Sequence, residues 1–386
     1  MFVYFLDLIS PYYYYALLAA GFYFFLMCLL NLCEIWRFTL PPKIFNGPLV
    51  SVLIPARNEE MNIERCLTSL RNQVYSNYEI LVLDDNSTDK TLEIINRIAS
   101  EDSRVRVFNG EPLPDDWYGK PFAMHQLSGH AKGELLIFTD ADTVHAPTSI
   151  AWAVTNMQQL NVDMISGYVG QIFRTFGEVI TVSLMYMLTG FALPVFLNRF
   201  VKVSWFSVAI GQFIVIRKTV LDAISGWESF KKETPEDIYM SKLLKRKGYK
   251  TRFLNITKHI TCRMYERYHA AIEGIGKNLL GFLGKSTVFL FCLIFVVVLF
   301  FLPFPLLFYN IFTSNHWTLH NLYFVCLFTI TWGMMFLSQR LKWWYCLLWP
   351  ILMLNLIYMA AWSWFKNVTG KGFVWKNRTV GKRAYF

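Results

Sequence analysis

Asp140 and Asp142 are separated by a single residue and follow the apolar run 135–138. Two carboxylates this close repel each other and raise each other's pKa unless a cation lies between them. A hard divalent cation such as Mn²⁺ or Mg²⁺ suits this pair, because it binds one or two protein carboxylates together with substrate phosphates. The motif therefore indicates a metal site that neutralises a diphosphate, although a solvated turn would also favour Asp.

Two further acidic motifs stand before and after this one. In "DDNSTD", Asp85 can accept hydrogen bonds from a base N–H or from ribose hydroxyls, while Ser87, Thr88 and Asp89 are typical of a turn that caps a helix. In "TPEDIYMSKLLKRKGYK", Glu236 and Asp237 open an amphipathic helix. The helix dipole alone would favour acids there.

The elements that position these acids alternate between strand and helix from residue 49 onward. "LVSVLIPARN", "YEILVLDD", "VRVFNG" and "ELLIFTD" predict strands, and helical patterns lie between them. This order predicts a doubly wound α/β domain with a parallel sheet, in which ligands bind beyond the carboxyl ends of the strands. Neither G-x-G-x-x-G nor G-x-x-x-x-G-K-[ST] occurs, which argues against a dinucleotide-binding dehydrogenase and a P-loop enzyme.

Apolar residues make up 54% of the 386-residue chain, and they are unevenly spread. The uncharged run 12–33 is long enough to cross a bilayer, and no basic segment precedes it as in a cleaved signal peptide. Further candidate spans cover 286–309, 321–338 and 343–365.

The net charge of +10 is consistent with a membrane surface, because the tail 366–386 carries six basic residues and no acid. Nothing in the sequence matches a nucleic-acid-binding module. Arg37 and Lys43 follow the first span, which predicts a cytoplasmic α/β domain and an outside N-terminus. Segment 343–365 is flanked by basic residues at both ends and contains Pro350, so we expect it to be re-entrant or interfacial.

Four segments in order, "SVLIPARNEE", "VLDDNSTD", "FTDADT" and "TPEDIYMSKLLKRKGYK", resemble the family 2 glycosyltransferases with the GT-A fold over residues 48–265. "PDDWYGKPFA", "CRMYERYHAAIEGIGKNLLG" and the tail "VWKNRTVGKRAYF" are similar to one branch of that family. This branch contains ceramide glucosyltransferases, hopanoid-pathway transferases and carotenoid-acid transferases of the diaponeurosporenoate type.

The resemblance implies a role for each matching position. Residues of the nucleotide-sugar site would be Pro55, Ala56, Glu59, Asp85, Lys120 and Asp140. Asp140 and Asp142 would form the metal motif, with Asp142 the direct ligand of Mn²⁺ or Mg²⁺. Asp237 would be the general base, and Glu236 a partner of the helix dipole. An inverting transfer needs one base on the acceptor side, whereas a glycosidase needs two carboxylates.

This sequence departs from many polymerising and ceramide-type relatives, because the motif Q-x-x-R-W is missing after the base helix. "EGIGKNLLG" stands in its place, and Lys277 would either supply a positive charge to the diphosphate or meet lipid headgroups. The missing motif and the small number of spans argue against a polymer synthase.

Segment 176–206 is apolar and lies between the metal motif and the base. We interpret it as an interfacial segment that brings the active site to a lipid acceptor, because a fifth span would put Asp237 and Asp142 on opposite sides of the membrane. Gly211 and Gln212, in the strand that follows, would either approach the substrate or serve packing.

The predicted architecture is a GT-A doubly wound α/β domain with a mixed or parallel sheet, inserted between an N-terminal transmembrane helix and a C-terminal transmembrane helical region. Its parts are a short outside N-terminus (1–11), a transmembrane helix (12–36), the cytoplasmic domain (48–265), an interfacial helix (266–285), the C-terminal membrane region (286–365) and a basic tail (366–386).

The predicted function is the inverting transfer of one sugar from a nucleotide-diphosphate donor, UDP-glucose by default, to a membrane lipid. The acceptor would be a carotenoid acid, hopanoid, sphingolipid or diacylglycerol. A polyisoprenyl-phosphate sugar transferase or a short-chain polysaccharide synthase are the alternatives within the enzyme class. A membrane scaffold with a degenerate domain is disfavoured, because all four key acids are present: Asp85, Asp140, Asp142 and Asp237.

Overall fold

The computed structural model describes residues 2–233, 235–283, 286–369, 373–375 and 378–380, with side chains in 10–233, 235–276, 291–366 and 368–369. The chain divides into two compact units. We call them the α/β unit (Glu34–Ile172 and Val195–Met264) and the helical unit (Met1–Cys33, Phe173–Pro194 and Tyr265–Phe386).

The strands, in chain order, are β1 (Val50–Ala56), β2 (Tyr78–Asp84), β3 (Val105–Asn109), β4 (Leu135–Thr139), β5 (Thr143–His145), β6 (Met164–Tyr168), β7 (Gly170–Gln171), β8 (Phe213–Arg217), β9 (Thr251–Asn255), β10 (Ile260–Cys262), β11 (Phe373–Trp375) and β12 (Arg378–Val380).

The α-helices are α1 (Phe2–Arg37), α2 (Ile63–Arg71), α3 (Thr91–Glu101), α4 (Gly119–His130), α5 (Ser149–Gln159), α6 (Phe176–Val182), α7 (Met185–Met187), α8 (Lys218–Ala223), α9 (Glu236–Arg246), α10 (Tyr268–Leu283), α11 (Ser286–Val296), α12 (Pro303–Phe312), α13 (Thr318–Ser338) and α14 (Trp349–Val368).

The α/β unit is built on a seven-stranded sheet in the order β3-β2-β1-β4-β8-β6-β9. Strands β3, β2, β1 and β4 run parallel, and β8 runs antiparallel to both of its neighbours, β4 and β6. The sheet is therefore mixed. This agrees with the predicted fold class, although the strand-and-helix alternation alone pointed to a parallel sheet.

Burial on both faces explains why the central strands are continuous apolar runs. Every residue of β4 is buried, and so is every residue of β1 except the half-buried Pro55. Helix α2 covers the sheet with Ile63, Cys66, Leu67 and Leu70, which the helical repeat places on one face. Parallel strands sandwiched between helices are expected to read in this way.

A second sheet of three short strands, β5-β10-β7, lies next to the acidic motif. In this sheet Cys262 pairs with Thr143 on one side and with Gln171 on the other. The sequence analysis did not predict this sheet, because strands of two or three residues are too short to show a periodic pattern.

The helical unit contains most of α1, which is continuous through Pro11 and includes residues 2–11. The sequence predicts a short outside N-terminus over 1–11, and in the structure residues 2–11 belong to α1. In the described part of the chain, four segments are long and apolar enough to cross a membrane: Ser10–Arg37, Phe291–Phe312, Thr318–Ser338 and Trp343–Lys366. The predicted interfacial segment 266–285 overlaps helix α10.

The apolar segment 176–206 is divided between the two units. Its first part holds the short apolar helical stretch Phe176–Ala192 of the helical unit. Its second part belongs to the α/β unit and forms the 3₁₀ turns Val195–Arg199 and Ser204–Phe206. The sequence pattern gave no sign of this division, because apolar residues continue through it.

Candidate active site

Lys120, at the first turn of α4, lies among acids from two other elements. Its Nζ is 2.6 Å from Oδ1 of Asp140, which follows β4, and 3.6 Å from Oε1 of Glu236, the first residue of α9. Burial alone would lower the pKa of Lys120, but Asp140 and Glu236 outweigh it and raise that pKa. The lysine is therefore a fixed positive charge inside an acidic cluster.

The carboxylate of Asp237 is held by two backbone N–H groups. Gly211 donates to Oδ2 at 2.6 Å, and Ile238 donates to Oδ1 at 2.8 Å. A Cβ on Gly211 would lie 3.2 Å from both Oδ2 of Asp237 and Nζ of Lys120, so the close approach favours glycine. Burial and the neighbouring Glu236 raise the pKa of Asp237 to about 7, against the lowering effects of Lys120 and the two N–H donors.

Asp142 has a carboxylate whose negative charge is only partly balanced by nearby donors and cations. Its Oδ1 is buried and has no hydrogen-bond partner among the described residues. Burial, then Asp140 and Glu59, raise the pKa of Asp142 to about 7, and the thiol of Cys262 and Lys120 offset this only in part. A buried carboxylate oxygen without a partner is costly, which indicates that a positive group belongs beside it.

These residues fit a divalent cation for which the protein would supply only some of the ligands. Asp142, with its orphaned oxygen, and the adjacent Asp140 supply hard oxygen ligands. Among the described residues no group of three His, Cys, Asp or Glu side chains converges as a ready-made site. The remaining ligands would then come from substrate phosphates, as is common for hard cations in phosphate chemistry.

The loops that follow β1 and β2 are tied together beside this cluster. Ala56 O accepts the N–H of Asp85 at 2.8 Å, and Ser87 Oγ accepts the N–H of Asn58 at 3.0 Å. Asn58 and Asn86 adopt positive φ of 51° and 55°, which asparagine tolerates in turns. Pro55 and Ala56, which end β1, and Glu59 and Asp85, on the two joined loops, thus lie at the carboxyl edge of the sheet. All four were predicted for the nucleotide.

A buried polar network lies behind the metal motif and joins β4, β5 and α5. His145 Nε2 is 3.2 Å from Oγ1 of Thr139 and 3.1 Å from Oγ1 of Thr143, and its Nδ1 is 3.2 Å from Oγ of Ser149. Thr143 Oγ1 donates to the carbonyl of Asp140 at 2.7 Å. Burial lowers the pKa of His145 to about 3, so the ring is neutral at physiological pH.

One described position, Gln212, does not join the cluster. Gln212 is buried, donates to Sγ of Cys262 at 3.0 Å and accepts from Gln171 at 2.8 Å, which is a packing role. The side chain of Lys277 lies outside the described residues. Gly211, predicted together with Gln212, does reach the carboxylate of Asp237.

Sequence reasoning missed the surroundings of the metal motif. Cys66 and Cys262, both buried, were not among the predicted site residues. Cys66 Sγ is nevertheless 3.8 Å from the carbonyl of Asp140, and Cys262 lies beside Asp142. His145 was also missed. No motif spacing marks these three residues, because the small sheet that brings them together was not predictable.

Comparison with known proteins shows what this chain is similar to. Residues 51–225 match the profile described as glycosyl transferase family 2. The chain is 26% identical to 4,4'-diaponeurosporenoate glycosyltransferase of Staphylococcus haemolyticus over 235 residues, covering 60% of each protein. It is 28% identical to beta-monoglucosyldiacylglycerol synthase of Nostoc sp. over 187 residues, covering 47% of this chain and 38% of that protein. The chain therefore spans less than two thirds of either relative.

A solved structure extends the similarity to the fold. A mannosyltransferase from Pyrobaculum calidifontis, in complex with GDP-Man and Mn²⁺, superposes with a TM-score of 0.52 at 17% identity. The match covers 92% of this chain and 98% of the other. At this identity the likeness shows the GT-A fold and nothing finer.

Proposed function

Because residues 51–225 are a glycosyl transferase family 2 domain, we propose that this protein transfers a single sugar, with inversion, from a nucleotide-diphosphate donor to a membrane lipid. The observation that carries the proposal is the set Lys120, Asp140, Asp142 and Asp237 at one edge of the sheet. Asp140 directly follows β4, and Asp237 lies in the first turn of α9.

Asp237 is the base of the proposed reaction. The acceptor O–H gives its proton to the Asp237 carboxylate, the acceptor oxygen bonds to the anomeric carbon, and the bond from that carbon to the diphosphate breaks. The N–H groups of Gly211 and Ile238 fix the carboxylate for this transfer. A pKa of about 7 suits a general base that works near neutral pH.

The leaving diphosphate needs positive charge, and two features of the site would supply it. Asp142 and Asp140 would hold Mn²⁺ or Mg²⁺, which when bound stabilises the charge of the departing diphosphate. Lys120 adds a positive charge of its own on the same side, where it already pairs with Asp140. A protonated carboxylic acid is then unnecessary, which explains why one base suffices.

Three observations support a lipid acceptor at a membrane. Four described helices are long and apolar enough to cross a bilayer. Two relatives have lipids in their names: 4,4'-diaponeurosporenoate as the molecule that is glycosylated, and monoglucosyldiacylglycerol as the product. Cations follow the first span, which favours a cytoplasmic catalytic domain. We propose UDP-glucose as the first donor to test.

The test is transfer by the full-length protein in membranes supplied with native lipids and Mn²⁺. Labelled UDP-glucose, UDP-galactose, UDP-N-acetylglucosamine and GDP-mannose are compared for label that enters the organic phase as one glycolipid. General-base catalysis contributes about 10²–10⁴-fold, so we expect Asp237→Asn to lower kcat by at least about 100-fold. Asp142→Asn should abolish the response to Mn²⁺.

The matched control is Asp222→Asn, which makes the same change at a surface carboxylate that is 62% exposed and pairs with Lys218 at 3.9 Å. It should transfer at the wild-type rate. Label in a water-soluble polymer would favour a polysaccharide synthase, and label on a polyisoprenyl phosphate would favour that transferase class. If Asp237→Asn transfers sugar at the wild-type rate, Asp237 is not the base.

A further inference from the structure

One surface of the α/β unit combines cations with exposed apolar side chains. We call it the basic–aromatic patch and define it by these residues: Trp36, Arg37, Phe38, Arg199, Phe200, Lys202, Val203, Trp205, Lys245 and Arg252. All of them belong to the α/β unit. None belongs to the acidic cluster described above, so the patch requires its own explanation.

The arginines of the patch are stacked on aromatic rings. The guanidinium of Arg199 lies 4.4 Å from the ring centre of Phe38 and 5.4 Å from that of Phe200. Arg37 lies 5.6 Å from the same Phe38 ring. Stacking fixes these guanidinium planes while Arg199 remains exposed, which leaves their N–H edges available to a planar or tetrahedral oxyanion.

Behind these arginines lies a narrow cleft that contains unsatisfied polar atoms. Arg252 Nε, Asn198 Oδ1 and Glu34 Oε1 are buried and have no hydrogen-bond partner among the described residues. Glu34 is the one acid among the residues that line the cleft, against Arg199 and Arg252. Burial and the neighbouring Arg199 lower the pKa of Arg252, and burial and Arg252 lower the pKa of Lys245. The local excess of positive charge is therefore only partly compensated.

The apolar half of the patch is unusually exposed. Phe200 is 67% exposed, Trp205 70%, Val203 47% and Trp36 42%. Large apolar side chains this exposed, placed among cations, are typical of surfaces that lie in the headgroup region of a membrane. A site for a soluble anion has no need of them.

We infer that the basic–aromatic patch binds the phosphate of an anionic phospholipid headgroup, with Phe200, Val203 and Trp205 entering the interface beside it. The course of α1 supports this choice of partner. The apolar segment Ser10–Arg37 ends inside the patch, at Trp36 and Arg37. If that segment crosses the bilayer, its last residues lie at headgroup level, where anionic lipids attract clustered Lys and Arg.

The experiment uses the full-length protein in nanodiscs of phosphatidylcholine alone or with about one third phosphatidylglycerol. Hydrogen exchange is measured on backbone amides of residues 195–206. We expect exchange there to slow several-fold in the anionic nanodiscs. The double variant Arg199→Gln/Lys202→Gln should lose most of this difference, because both changed side chains are exposed cations of the patch.

The control variant Lys90→Gln/Lys132→Gln removes the same charge from two exposed lysines outside the patch and should keep the wild-type difference. Three results would overturn the inference: equal protection in both lipids, a difference that survives in Arg199→Gln/Lys202→Gln, or equal protection by inorganic phosphate in neutral nanodiscs. The last would indicate a site for a soluble anion. Since exchange does not depend on catalysis, the result is independent of the proposed transfer reaction.

Discussion

At the scale of single residues, Asp237 and Asp142 are both aspartates of the candidate site, but their carboxylates have different hydrogen-bond partners. Asp237 receives two N–H donors, which suits the proposed base, whereas Asp142 keeps an oxygen without a donor. The difference follows from the backbone around each acid, because the first turn of α9 and Gly211 both point N–H groups at Asp237. Lys120 lowers the pKa of both carboxyls, so its charge couples them.

The pKa of Asp237 predicts the pH dependence of transfer. The base must be ionised to accept a proton, so the inactive, protonated form accumulates as pH falls below about 7. We expect kcat/KM for the donor, which reports the ionisation of the free enzyme, to fall about tenfold per pH unit on the acid side and to level off above pH 7. The residual activity of Asp237→Asn should not show this decline below pH 7. A flat wild-type profile between pH 5 and 7 would contradict the assignment.

Gly211 should be required for the alignment of the base. A Cβ at this position would press on both the Asp237 carboxylate and the Lys120 ammonium at 3.2 Å, so we expect Gly211→Ala to lower kcat by about tenfold or more, with a smaller effect on the KM for the donor. Gly129→Ala is the matched control, because a Cβ there meets nothing within 4 Å. Equal kcat values for the two variants would show that the Gly211 contact is unimportant.

At the scale of elements, much of the fold could be read from the sequence. Helix α3 lies between β2 and β3, where the sequence predicted a helix, and β1, β2 and β4 lie where buried apolar runs stood. Strand direction was the weak point. The apolar run of β8 predicts a buried strand, but it does not predict whether the strand runs parallel or antiparallel to β4. The strand direction is set by the connection that precedes β8.

From residue type and position alone, the candidate site was predictable only where acids follow strands or begin a helix, and the family resemblance added Lys120. Asp85, Asp140 and Asp237 were found for that reason, since the fold brings such ends to one edge. The role of Glu236 as a partner of Lys120, and the thiols around Asp142, depend on long-range packing. Cys262 reaches Asp142 through the pairing of β10 with β5 and β7, which join three separate stretches of chain.

The His145 network should make the joint between β4, β5 and α5 sensitive to acid. His145 has a pKa of about 3 when folded and about 6.5 when unfolded, so the unfolded state binds more protons in between. Stability is therefore full above about pH 6.5 and falls as pH drops towards 3, by about 2–3 kcal/mol at pH 4.5.

The corresponding measurement is thermal unfolding of the purified protein between pH 4.5 and 7.5. We expect His145→Gln to start from a lower Tm, because a fitted imidazole is lost, but to show a shallower decline with acid. His130→Gln, at an exposed ring stacked on Phe108, should keep the wild-type slope. If all three proteins decline in parallel, His145 does not control the acid response.

At the scale of the whole molecule, the apolar length of the last helix favours a membrane crossing, whereas the charges at its ends do not. Segment Trp343–Lys366 is long enough to cross a membrane, yet Arg340 and Lys342 precede it and the basic tail follows it. Cations at both ends conflict with a full crossing, because positive charge favours the cytoplasmic side. The two alternatives put residue 369 on opposite sides of the bilayer.

Cysteine labelling separates these alternatives. Lys90→Cys, Thr313→Cys and Thr369→Cys are each introduced where exposed Cys33 and Cys326 have been changed to Ser, and a membrane-impermeant maleimide is applied to intact spheroplasts. We expect Thr313→Cys, between α12 and α13, to react, and the other two to react only after permeabilisation. Labelling of Thr369→Cys in intact cells would show that all four segments cross, and labelling of Lys90→Cys would contradict a cytoplasmic catalytic domain. Because UDP-sugars are made in the cytoplasm, labelling of Lys90→Cys in intact cells would also mean that the proposed donor and Asp142 are on opposite sides of the membrane.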